Sequence, residues 1–271
     1  MFEDYAWVIG NDYFNVIKHY GLSIDFCDFI TKQSEKKFNN FCLASKNMNL
    51  INEKNIPFRE MSNSECVDTA YLLLLDSTKL DYKCFLEMRE KIIKTNEGEY
   101  YDGVNIGIID SETKEETSMI QVPYLNKTIS SICLGHESIH YLISKNRKKI
   151  LVNDHYTEVL PIFYELLLAS QMEKDGIENN MLQKTEMVRL DSIKFHAGQL
   201  IQVEQMLKEL GYLMDEQQKN IVEYHKHLSY TYLISWLYAN YMFDLYLSDK
   251  KIIDKTDNIL LGENSIPSLL E

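Results

Sequence analysis

The chain has 271 residues, 45% of them hydrophobic, enough to bury a sizeable core. Its 28 basic and 41 acidic side chains leave a formal charge of -13, which repels phosphate backbones and anionic lipid heads, so neither nucleic acid nor a membrane is expected as a partner. Cys27, Cys42, Cys66, Cys84 and Cys133 are odd in number, scattered and without CxxC spacing, which argues against a disulfide framework or a thiolate metal site and fits a reducing cytoplasm.

The opening MFEDYAWVIG carries Glu3 and Asp4 where a secretory signal would carry Lys or Arg. Apolar residues at helical spacing predict helices over 12–20, 24–46, 64–76 and 80–94. Alternating apolar residues at 103–110 and 117–123, joined by the charged turn SETKEE, predict a β-hairpin, with MIQVP at 119–123 as an open edge on which an extended peptide could add a strand. Helices are expected again over 127–145, 157–175, one or two segments of 178–210, and 215–248. The late apolar stretch YLISWLYANYMFDLYL is broken by Ser235, Asn240 and Asp244 and is too short and polar to span a bilayer. With 10 Gly, 4 Pro and no visible linker, the expectation is one mainly α domain over 1–271 with a small β-hairpin or sheet.

Inside the helix expected over 127–145 stands LGHESIHYLI. Positions i and i+4 lie one turn apart on one helical face, so His136 and His140 can present ring nitrogens to one ion. Glu137, on the neighbouring side, can reach a water at that ion rather than the ion itself, which suits a general base. A third ligand is expected from DHYTEVLPIFYELLLASQ. Glu158 opens a helix able to return antiparallel to the first, whereas Asp154 and His155 read as a solvated helix start. Glu165, on the same face as Glu158, is placed to accept the free ring N–H of a ligand histidine. Thr157 is a candidate N-cap, because Pro161 would kink a helix already under way. Cys133 reads as a buried small apolar residue.

HESIHYLISKNRKK followed by TEVLPIFYELLLASQMEK resembles the thimet oligopeptidase and oligoendopeptidase F family of zinc peptidases, in which HExGH precedes a helix whose first glutamate completes the metal site. Glu158 and Glu165 fall on the two glutamates of that helix. VPYLNKTISSICLGHE, KFHAGQLIQVEQ, SYTYLISWLYANYMFDLY and ILLGENSIPSLL are similar, more weakly, to other family segments, so the resemblance covers 101–271 in order, whereas 1–100 matches only in helical character. It implies a zincin-like helical peptidase fold, one zinc ion and a peptide substrate. It also implies a tyrosine and a histidine from the last long helix as oxyanion donors. Tyr232 and His225, seven apart on one face, fit those two roles. The chain departs from the family in two ways. Ser138-Ile139 replaces the usual x-Gly before the second histidine, and the length is less than half that expected. Two alternatives therefore stand beside a peptidase: a catalytically silent relative that binds peptides, and a helical scaffold whose HExxH is accidental.

Overall fold

The computed structural model describes residues 56–94, 104–109, 116–122, 126–145, 157–189, 192, 231–232, 235–236 and 238–260. The helices expected over 12–20 and 24–46 lie outside them. The chain divides into two compact units, one of 1–56 with 190–233 and one of 57–189 with 234–271. All the elements below belong to the second.

Helix α1, Asn63–Ser77, starts where Ser62 and Glu65 form a reciprocal capping box that satisfies two backbone N–H groups. Asp81 caps helix α2, Tyr82–Glu90, by accepting the N–H of Cys84 at 2.9 Å. The helix expected to run to 94 stops there. Ile92–Lys94 is instead strand β1, because the β-branched pair Ile92-Ile93 finds a strand to join.

That partner comes from the hairpin of β2, Val104–Ile109, and β3, Glu116–Val122, antiparallel from Val104 opposite Gln121 to Ile109 opposite Glu116. Strand β1 pairs parallel to β3 on its other side, with Ile92 opposite Ile120 and Lys94 opposite Val122, so the order is β1-β3-β2. This corrects the expectation of an open edge at 119–123. Residues 119–122 lie in the central strand, with Ile120 and Val122 fully buried, and their backbone groups are committed to two neighbours.

Helix α3, Thr128–Lys145, is the axis of the unit. Every residue from Thr128 to Ile139 is buried, because the helix is covered by α1, by the sheet, by the following helix α4 (Val159–Lys174) and by α5 (Ile252–Leu260). Gly135 brings α3 close to α4, since a Cβ there would lie 2.3 Å from Leu168 Cδ1. A glycine inside a helix costs about 1 kcal/mol relative to alanine, so its presence is explained by that approach. Pro161 is the third residue of α4, where the N–H has no partner inside the helix, and it breaks no bond there. Just past the C-cap Asp175 of helix α4 stands Gly176, whose φ of +67° suits a left-handed stop, with the N–H of Ile177 bonded to Met172 O at 2.9 Å. Residues 181–189 and 238–248 are also helical, and α5 was not foreseen from periodicity. The described part of the chain is mainly α, and no helix in it is long and apolar enough to cross a membrane.

Candidate metal centre

Two facing helices supply the site. His136 and His140 occupy one face of α3, and Glu158 sits at the N-cap of α4 with helical backbone angles and no capping hydrogen bond from its own side chain. Thr157, the candidate cap, lies one residue earlier in the turn. Because the carboxylate is not used on its own backbone, it is free to reach across to α3.

His136 Nε2 and His140 Nε2 are 3.0 Å apart. The two oxygens of Glu158 lie 3.2 Å from His136 Nε2 and 3.3 Å from His140 Nε2. Around a tetrahedral ion with bonds of about 2.0–2.1 Å, donor atoms stand roughly 3.3 Å apart, so these separations match a shared ion. Glu158 Oε2 is buried, and although His136 Nε2 is close, no hydrogen-bond donor is aligned on it among the described residues. Three donor atoms that face a common point are what a ligand set requires. His136, His140 and Glu158 could hold a metal ion.

A second layer orients the first. His136 Nδ1 lies 2.6 Å from Glu165 Oε1, so its N–H is given to that carboxylate and the lone pair of Nε2 is left toward Glu158 and His140. Glu165, one face of α4 further along, is itself held by Arg189, which places Nε 3.2 Å from Oε2 and a second guanidinium nitrogen against Oε1. Sequence reading did not find Arg189. The available signal was its position beside the buried stripe Met181, Thr185 and Val188, where a cation calls for a buried partner.

Charge balance points the same way. Glu137 and Glu165 are buried and Glu158 is nearly so, while Arg189 pairs with Glu165. With neutral imidazoles, three ionised carboxylates against one guanidinium leave a net charge of two minuses among these residues, which a divalent ion would cancel. Burial opposes the charged form of Glu158, yet His140 and His136 hold its carboxyl well below the usual range. Burial likewise opposes charge on His136, but Glu165 and Glu158 push its imidazole up to about 10. A cation at this point, proton or metal, is what the carboxylates demand. Glu137 differs, since burial pushes its carboxyl upward against the opposing pull of His136 and His140.

His225, Asp154 and His155 lie outside the described residues, and Tyr232 belongs to the other compact unit. Cys133 is buried. A cavity of about 500 Å³ opens beside Ser62, Ser64, Val67, Arg89 and Ile92, and none of the donor residues lines it. Searched against protein-family models, curated proteins and solved structures, the chain matches none, so the case for the site rests on its geometry.

Proposed function

We propose that this protein is a zinc-dependent metallopeptidase acting on short or unfolded peptides in the cytoplasm. The observation that carries the reading is the mutual approach, at 3.0–3.3 Å, of His136 Nε2, His140 Nε2 and the Glu158 carboxylate. Two imidazoles and one carboxylate are a donor set that zinc accepts, and three protein ligands leave a fourth position open. When bound, zinc supplies Lewis acidity, which makes water a nucleophile near neutral pH and polarises a carbonyl. Glu137, buried one residue after His136, takes the proton from the attacking water and delivers it to the leaving amine; its raised carboxyl suits both steps. Glu165 keeps His136 in the tautomer that donates from Nε2. Tyr232 and His225 enter the reading as oxyanion donors through the family resemblance alone.

The test combines metal analysis with turnover of a quenched-fluorescence peptide library. Purified wild type should hold one zinc per chain and cleave peptides. Glu158→Gln should lose both, and Glu137→Gln should keep zinc while losing cleavage. Zinc held by wild type with no peptide cleaved would sink the hydrolytic reading in favour of a metal-containing peptide-binding module. Wild type without metal would sink both.

A further inference from the structure

We infer that Arg189 is a positioning residue of the metal centre, acting through Glu165 on His136. This rests on the metal-site reading above and extends it to a residue that no motif marks. The guanidinium meets Glu165 in a two-point contact, Nε to Oε2 at 3.2 Å and a terminal nitrogen to Oε1. Such a fork fixes the plane of the carboxylate, which a single ammonium cannot do. Glu165 Oε1 is also the atom that lies 2.6 Å from His136 Nδ1. The orientation of the carboxylate therefore sets that of the imidazole, and so the direction of Nε2.

Burial strengthens this coupling. The side chain of Glu165 is 6% exposed and that of Arg189 15%, so little solvent competes for either contact. Helix α4 thus contributes twice to one ligand sphere, directly through Glu158 and indirectly through Glu165. The helical stretch 181–189 supplies the clamp that holds the indirect arm. The terminal guanidinium nitrogen also comes within 3.5 Å of His136 Nδ1; because the ring N–H there is given to Glu165, this is packing of the cation along the ring edge rather than a bond.

The experiment measures zinc affinity of metal-stripped protein by competition with a chromophoric chelator. It also records the visible spectrum of the cobalt(II)-substituted protein. Arg189→Met should weaken zinc binding about 10–100-fold and alter the cobalt spectrum. Arg189→Lys, which keeps the charge but not the fork, should recover only part of the affinity. In a Glu165→Gln background, Arg189→Met should add little further loss, because the clamp then has no carboxylate to orient. Wild-type affinity and an unchanged cobalt spectrum in both Arg189→Met and Arg189→Lys would overturn the inference while leaving the metal site intact. Failure of wild type to bind zinc at all would instead overturn the site itself. Should Arg189→Met not fold, Arg189→Lys decides alone, and a wild-type spectrum there counts against the clamp.

Discussion

The Glu165 carboxylate stands 2.6 Å from Nδ1 of His136, and that contact decides which ring nitrogen of His136 faces Glu158 and His140. Glutamine at 165 could still accept the ring N–H, but without charge and without a full partner for Arg189. Glu165→Gln is expected to lower metal affinity by roughly 10-fold, the gentler end of such effects. Chelator competition against wild type checks this, and equal affinity would count against the orienting role.

Metal removal should cost stability as well as activity. A ligand bound only by the folded chain stabilises it by roughly 2.7 kcal/mol at a hundred times its dissociation constant. Stripping zinc with a chelator is therefore expected to lower the melting temperature by several degrees, and zinc should restore it. His140→Ala should melt at one temperature with or without chelator. A scanning fluorimetry series covers all four conditions, and a chelator response retained in His140→Ala would argue that the metal sits elsewhere.

Close approach of α3 and α4 depends on Gly135 facing Leu168. Valine at 135 adds a branched side chain where even a Cβ would lie 2.3 Å from Leu168 Cδ1, and overpacking of this kind costs about 1–3 kcal/mol. Because His136 follows directly, Gly135→Val should weaken metal binding along with stability. Leu168→Ala should recover part of the loss in the double variant. Urea denaturation of the four proteins in the cycle gives the coupling, and strict additivity would refute the contact argument.

Acid sensitivity is expected from Glu178. Its carboxylate receives the N–H of Arg59 at 2.7 Å, the hydroxyl of Thr128 at 2.8 Å and the ammonium of Lys184 at 2.7 Å, tying the start of α3 to two other segments. Partial burial raises its carboxyl, but Lys184, the Arg59 N–H and Thr128 outweigh that and hold it below the usual value. A folded value below the unfolded one, about 4.3, means that this stabilisation is present above that pH and is lost as pH falls through the folded value. Glu178→Gln should cost about 1–3 kcal/mol at neutral pH and make the loss of stability below pH ~4 shallower. Denaturation midpoints across pH 3–7 for both proteins test the sign.

Much of the helical framework was legible without coordinates. LGHESIHYLI states its own geometry, because a helix repeats each 3.6 residues and His136 and His140 must share a face wherever the helix goes. The hairpin bounds also followed from local alternation, and α1, α3 and α4 begin and end within two residues of the expected positions. Ile92-Ile93 shows where local reading stops. An apolar pair after a helix continues its pattern equally well, and only the presence of β3 makes it a strand. The same event covered the strand edge at 119–122 that the sequence left open.

What the sequence determined by itself is therefore what depends on neighbours along the chain: the phase of His136, Glu137 and His140, the placing of Glu158 and Glu165 seven apart on one helix, and the acidic balance of -13. Tertiary structure alone decided that Glu158 reaches His136 and His140, and that Arg189, 24 residues beyond Glu165, closes on its carboxylate. Those meetings join separate helices at angles set by packing at Gly135 and across the core of α3 and α4. Such packing sums many weak contacts over the whole unit, and no local pattern encodes it.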